Sequence, residues 1–247
     1  MNTVLITGAA HGIGRAAARC FARKHWNLHL ICRSSLDELR ALASELSSSY
    51  EISATADLVD VSDPAAVEAY FKEMVPGLDL LVNNAGISYV GLLQDMRPEE
   101  WNQVIATNLS SMFYTSRQAI PLFLKNRSNK APEQCPGRII NISSVWGADG
   151  AAGEVCYSAS KGGVNSFTRA LAKELAPSGI PVNALACGCV DTRMNDCFDE
   201  EEKKALAGEI PAGRFASPEE VAEALLVLSR MPPYVTGQIL TMDGGWI

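Results

Sequence analysis

Tyr157 and Lys161 stand four residues apart in a stretch whose helical pattern opens near Val155, so both side chains leave one helix face a turn apart. A phenol beside an ammonium is a general acid/base in the making, because the cation favours phenolate. Moving a tyrosine from ~10 to ~7 takes roughly 4 kcal/mol of differential interaction. That exceeds what one neighbour supplies, so a second cation, such as an oxidised nicotinamide, has to contribute. Ser144 precedes Tyr157 by thirteen residues and follows the β-like run Arg138-Ile139-Ile140-Asn141-Ile142. From a strand end it can return across the site and hydrogen-bond the same substrate oxygen. The chemistry is proton transfer to an oxygen on which negative charge develops. Alone, a Y-x-x-x-K pair is usually an exposed pair on a surface helix, so the elements around it decide.

Those elements begin at residue 3. Thr3–Thr7 reads as a β-branched strand, Gly8-Ala9-Ala10-His11-Gly12-Ile13-Gly14 as a glycine-rich turn, and Arg15–Lys24 as a helix. Glycines let backbone approach a pyrophosphate, and the helix N-terminus offers unpaired N–H groups and a positive dipole end. The spacing T-G-x-x-x-G-x-G lacks a following Lys-Ser/Thr, which excludes a nucleoside-triphosphate P-loop. A second strand, Leu28–Cys32, ends in Cys32-Arg33-Ser34-Ser35. An NAD site usually places an acid there for the ribose hydroxyls. Here a cation and two hydroxyls suit a 2′-phosphate, predicting NADPH/NADP+ over NADH.

Further strands are expected at Ser53–Leu58, Leu78–Val82, Arg138–Ile142, Ile180–Ala186 and Gly237–Thr241. Helices are expected at Asp37–Ser48, from the Asp63 cap and Pro64 to Met74, from Pro98 through Ile120, from Val155 to Ala176, and at Pro218–Arg230. Pro121 should kink or interrupt its helix. Helix propensity gives no reason for Asn108 in the middle of the same helix. Asn126–Pro136 reads as a polar loop at the sheet end opposite the strands' carboxyl ends, and the acid-rich residues 193–216, with a short helix opening at Asp199–Glu202, as a possible substrate lid. Regular βα alternation without repeats or linkers predicts α/β architecture: one Rossmann-like, doubly wound parallel sheet in three layers, a single domain over 1–247, with ligand at the strands' carboxyl ends.

Composition narrows the partners. The 247 residues are 47% hydrophobic with a net charge of −7, which argues against nucleic acid or an anionic membrane. No apolar run approaches a membrane span, and the start lacks a signal peptide's pattern. Seven scattered cysteines read as reduced thiols in a cytoplasmic protein, and Cys187-Gly-Cys189 alone is not a metal site. The three histidines, His11, His25 and His29, all lie in the first βαβ unit, so a Ser–His triad on Ser144 is excluded.

T-G-x-x-x-G-x-G at 7–14, N-N-A-G at 83–86, Asn108, Ser144, Y-x-x-x-K at 157–161 and the terminal D-G-G together resemble the short-chain dehydrogenase/reductase family over essentially the whole chain, near its 3-oxoacyl-[acyl-carrier-protein] reductase branch. The resemblance implies Tyr157 as proton donor, Ser144 positioning the carbonyl, Lys161 on the nicotinamide ribose, and Asn108 anchoring a water-linked proton relay. It implies that Gly8, His11, Gly12, Ile13 and Gly14 meet the diphosphate and ribose, Asp60 and Val61 the adenine, and Asn84, Ala85 and Gly86 the adenosine ribose. Gly188, Val190 and Thr192 would meet the nicotinamide end. The substrate would be a carbonyl compound, free or carrier- or protein-bound, and the assembly a homotetramer or homodimer. Cys187 stands where the family usually has Pro, which puts that turn's geometry in question. Positions where the branch docks acidic carrier protein with arginines hold Cys135 and Ser178, with Lys125, Arg127 and Lys130 as possible substitutes. Ser144-Val-Trp-Gly147 with Gly153-Glu-Val-Cys-Tyr157 looks instead like a subgroup reducing a 5-aminopentanone group on elongation factor P, where Glu154 and the acidic lid would complement a cation. A catalytically silent nucleotide-binding protein is the remaining alternative, opposed by the intact set of four catalytic residues.

Overall fold

The computed structural model describes residues 1–127, 135–196 and 199–247. Seven strands form one sheet: β1 (Thr3–Thr7), β2 (Asn27–Cys32), β3 (Ala54–Leu58), β4 (Leu80–Asn83), β5 (Arg138–Ser144), β6 (Val182–Cys187) and β7 (Ile239–Met242). Every pairing is parallel, in the order β3-β2-β1-β4-β5-β6-β7. The order reverses between β1 and β4, which opens a crevice at their carboxyl ends.

Burial explains the strand sequences. Val4 and Ile6 of β1 point into one apolar core with Leu28 and Leu30 of β2, while Leu5 and Ile31 point into the other. Both faces are covered, so the strands read as near-continuous apolar runs rather than as alternating ones. Helices α1 (Gly12–Ala22), α2 (Leu36–Tyr50) and α8 (Pro218–Arg230) cover the first face. Helices α3 (Pro64–Met74), α5 (Ser111–Arg127) and α6 (Val155–Leu175) cover the second, so the architecture is the expected three-layer sandwich. The remaining helices are α4 (Pro98–Ile105), ahead of α5, and α7 (Glu200–Glu209), in the acid-rich segment after β6.

Local chemistry places the helix starts. Asp63 accepts from the Ala65 amide at 2.8 Å ahead of Pro64, and Ser217 forms a reciprocal capping box with Glu220 ahead of Pro218. Helix α1 begins at Gly12, three residues before the expected Arg15, so its first turn is part of the glycine loop itself.

Of the kink or interruption expected at Pro121 in the long fourth helix, the interruption is absent: α5 runs through Pro121 to Arg127. Both Pro121 and Arg117, whose carbonyl loses its partner, are exposed, so water takes the place of the missing bond. The irregularity lies earlier, where Ala106–Ser110 is a π-helical turn between α4 and α5. Of the expected loop Asn126–Pro136, residues 128–134 lie outside the described residues, and Asn126 and Arg127 belong to α5. Asn126 donates to the carbonyls of Leu78 at 2.8 Å and Pro136 at 3.1 Å, which puts this connection at the amino ends of β4 and β5.

Candidate active site

Ser144 is the last residue of β5, opposite Cys187 in β6, and its Oγ accepts the Trp146 amide at 3.2 Å. Helix α6 opens at Val155 and sets Tyr157 and Lys161 one turn apart. The Ser144 side chain comes near enough to the Tyr157 phenol to oppose its upward shift, so strand end and helix meet across the site. Lys161 Nζ lies 5.6 Å from the Tyr157 ring centroid and donates to the Ile142 carbonyl at 2.9 Å. Burial dominates the electrostatics of both groups. Lys161 is 3% exposed, and desolvation of its ammonium pushes it down to about 8. The Tyr157 phenol is pushed up, first by desolvation and then by the Glu154 carboxylate, with Ser144 opposing. The expected lowering of Tyr157 by Lys161 is not what this chain sets by itself: Lys161 is not among the groups that shift the phenol, and desolvation leads the upward shift.

Asn108 is fully buried in the π turn. Its Nδ2 donates to the Ile87 carbonyl at 2.9 Å and to Ser160 Oγ at 3.0 Å, and its Oδ1 accepts the Ile87 amide at 2.9 Å. It clamps the loop after β4 to α6, one residue from Lys161. The π turn explains a residue that propensity did not: inserting one residue rotates the helix locally and turns a polar side chain inward.

A cavity of about 660 Å³ runs from the β2 end past β1 and β4 to Tyr157 and Lys161. Gly8, His11, Gly12 and Ile13 line it, and so do Arg33, Asp60 and Val61 at one end. Asn84, Ala85 and Gly86 line its middle, and Gly188, Val190 and Thr192 its far side. Gly14 is the exception among the turn glycines. It faces inward, where a Cβ would meet the Gly8 carbonyl oxygen at 2.4 Å and Asn84 Nδ2 at 2.7 Å, so its part is packing of helix on turn, not contact with a ligand. Asn108 and Ser144 are likewise absent from the cavity wall, although Thr107, Ser143 and Val145 beside them line it.

The cavity fits a dinucleotide. Gly8 and Gly12 have φ of 65° and 49°, the conformation a close backbone cradle needs. The first turn of α1 has neither a side-chain cap nor an acid, so its N–H groups stay available to phosphate. Thr107 Oγ1 is buried without a hydrogen-bond partner, the sole such side-chain atom among the described residues, and its residue lines the cavity. No sequence signal marked Thr107, because its exposure to the cleft follows from the π turn. Asp60 Oδ1 accepts from the Ser62 amide and hydroxyl at 2.9 and 2.6 Å, which fixes the turn after β3 at this end of the cavity. The Cys187 substitution leaves the far side intact. Cys187 closes β6, Gly188 N–H donates to the Met242 carbonyl at 2.9 Å, and a Cβ on Gly188 would strike Asp243 Cα at 2.9 Å. Burial pushes the Cys187 thiol up to about 12, so it stays neutral beside Lys161.

Beyond Tyr157 the wall changes character. Trp146 and Trp246 meet edge to face with centroids 4.9 Å apart, Trp246 arriving from the chain's last turn. Burial pushes the Glu154 carboxyl above the usual range, with Trp146 beside it opposing the shift. Glu202 and Glu209 of α7 also line the cavity, which places the acid-rich segment at its mouth. Trp246 and Glu209 were not legible as site residues, because only the fold returns these segments to the cavity. Cys135 and Ser178 lie near each other at the amino end of the sheet, with Cys135 Sγ 3.8 Å from the Gly179 carbonyl, ahead of β5 and β6. Within one chain they are far from the catalytic mouth, contrary to the docking position that the resemblance implied.

Against known proteins, a family model described as short chain dehydrogenase matches residues 2–203. The uncharacterized oxidoreductase YmfI of Bacillus subtilis is 38% identical over 99% of this chain and 98% of its own. The 3-oxoacyl-[acyl-carrier-protein] reductase FabG of Aquifex aeolicus is 38% identical over 98% of this chain and 95% of its own. A crystal structure from Beutenbergia cavernae, titled as an NAD(P)-dependent gluconate 5-dehydrogenase with bound NADP at low occupancy, superposes with a TM-score of 0.88 at 34% identity, covering 99% of this chain and 96% of that one.

Proposed function

The chain belongs to the short-chain dehydrogenase family of oxidoreductases, and from that premise we propose that it reduces a ketone to a secondary alcohol with NADPH as reductant and Tyr157 as proton donor. The observation that supports this most is the placing of Tyr157 and Lys161 on the wall of a glycine-cradled cavity, with Ser144 at the strand end between the lining residues Ser143 and Val145. Bound NADPH would supply hydride to the carbonyl carbon. Ser144 would donate to the carbonyl oxygen as charge develops there, and Tyr157 would deliver the proton. A phenol kept protonated by burial suits that direction. Lys161, whose ammonium titrates near neutrality, would hold the ribose and resupply Tyr157. Asn108 would keep Lys161 and the Ile87 loop in register, with the π turn's carbonyls open to a relay water. The reading treats 1–247 as one cytoplasmic domain. Exposed Phe113 and Leu124 on α5 support assembly as a homodimer or homotetramer.

The test is NADPH oxidation with free, carrier-bound and protein-bound ketones. Tyr157→Phe should lower kcat by ~10²–10⁴ with little change in cofactor Kd. Near-normal turnover would move the acid elsewhere. No cofactor oxidation with any ketone would support a silent nucleotide-binding protein.

Two substrate readings follow. A 3-oxoacyl thioester agrees with the FabG relatives. A ketone bearing a cation, as on the modified lysine of elongation factor P, agrees with the substrate end of the cavity, where Glu154, Glu202 and Glu209 accompany two tryptophans. Carboxylates and indole faces both attract an ammonium. Resting this second reading on that wall, we favour it over an acidic carrier protein.

A further inference from the structure

The chain's last turn builds a wall of the cavity that the catalytic residues do not require. Strand β7 ends at Met242, whose carbonyl accepts the Gly188 amide at 2.9 Å, and Asp243 packs on Gly188 at the cavity's far side. Gly244 and Gly245, with φ of 70° and 84°, then turn the chain back through a conformation that other residues rarely adopt. The Asp243 carboxylate closes this turn: Oδ1 accepts the Gly245 amide at 2.9 Å and Oδ2 the Ile247 amide at 3.0 Å. The turn is also seated on the residues that follow α7. The Ala212 amide donates to the Gly244 carbonyl at 3.1 Å, and a Cβ on Gly244 would meet Ala212 Cβ and Ile210 Cγ2 at 2.9 Å.

This turn carries Trp246, half-buried, into the cavity wall against Trp146. Trp146 is fixed in its turn. It follows Ser144 by two residues and donates its amide to Ser144 Oγ, and a Cβ on the next residue, Gly147, would meet the Lys161 carbonyl carbon at 2.7 Å. One indole is thus tied to the catalytic strand and helix, the other to the end of the acid-rich segment. Together they bound the space beyond Tyr157, to which Val90, Met194 and Leu206 add apolar surface. We propose that Trp246 determines substrate specificity by bulk: held by Asp243, it narrows this end of the cavity to a slim, unbranched arm on the ketone and excludes a ring beside the carbonyl. The carbonyl would sit at Ser144 and Tyr157, so the indole pair stands next to whatever that carbon bears. An apolar pocket discriminates by ~10–200-fold against a misfit of one methylene, and an indole occupies far more space than that. The assignment rests on the ketone-reductase reading and deepens it from charge to shape.

Kinetics with two neutral substrates, a straight-chain methyl alkyl ketone and methyl phenyl ketone, separate bulk from charge. The wild type should favour the alkyl ketone in kcat/KM by at least ~10-fold. Trp246→Ala should narrow or invert that ratio by at least ~10-fold, chiefly through a lower KM for the phenyl ketone, with the NADPH Kd unmoved. Trp246→Phe should fall between the two. Asp243→Ala releases the turn, so it should shift the ratio the same way and remove the near-ultraviolet circular dichroism of the indole pair. A ratio unchanged in Trp246→Ala, or an equal loss on both ketones, would overturn the proposal and leave the ketone-reductase reading intact. Turnover of the phenyl ketone by Trp246→Ala alone would uphold it. If neither protein reduces either ketone, the proposal falls, and the reductase reading is decided by the wider panel of free, carrier-bound and protein-bound ketones.

Discussion

Lys161 is the residue at which function and stability pull apart most. Its ammonium is buried against one carbonyl, and its folded value of about 8 lies below the 10.5 of a solvated lysine. Because the folded value is the lower one, the charged form is disfavoured by folding. That cost is fully present below about 8 and is relieved as pH rises toward 10.5. A depression of this size corresponds to on the order of 1–3 kcal/mol once the Ile142 bond is set against it. Lys161→Met should therefore raise the melting temperature at pH 7 by several degrees while abolishing turnover. The buried thiols, raised by burial, lose stability over the same window, so the variant should fall more steeply than the wild type between pH 8 and pH 10. Thermal melts across that range check both, and a destabilised variant would mean that the carbonyl bond outweighs the charge.

Among the elements, the long helix on the second face separates tolerated irregularity from useful irregularity. At Pro121 the missing bond faces solvent, so Pro121→Ala should restore a bond to the Arg117 carbonyl. The expected gain is about 1–2 kcal/mol, below the ~3 kcal/mol of a buried helix proline because water already serves the carbonyl and because proline also restricts the unfolded chain. Denaturant melts should show the gain, with kcat/KM for a ketone unchanged. The π turn at Ala106–Ser110 is different in kind: it turns Asn108 toward Ile87 and Ser160 and leaves Thr107 Oγ1 orphaned at the cleft. Thr107→Val removes a buried hydroxyl that no protein group serves. Folding stability should hold or rise while cofactor Kd weakens by about 1 kcal/mol, or roughly fivefold. An unchanged Kd would show that the hydroxyl has no ligand to meet.

At the scale of the molecule, the net charge of −7 and the carboxylates at the mouth oppose an acidic macromolecular substrate. The positions held by Cys135 and Ser178 sit at the amino ends of β5 and β6, opposite the carboxyl ends where the cavity opens. The decisive comparison is kcat/KM on acetoacetyl-carrier protein against the same acyl group on a short thiol. We expect no more than a small preference for the protein-bound form. A large one, lost at high salt, would establish a carrier-docking surface and remove the case for a cationic ketone.

The sequence alone determined the sheet and named most of the residues that line the candidate site, because these depend on local and periodic features. Apolar runs with short loops specify buried parallel strands, glycine spacing specifies the cradle, and the four-residue step from Tyr157 to Lys161 specifies one helix face. Only the tertiary structure decided what lies at each group. The inward face of Gly14, the π turn under Asn108 and the lining roles of Thr107, Trp246 and Glu209 follow from long-range packing. The direction of Tyr157's shift was not legible either. Spacing shows that a cation is near, but desolvation at the cavity wall and the Glu154 carboxylate, both set by the fold, push the phenol up.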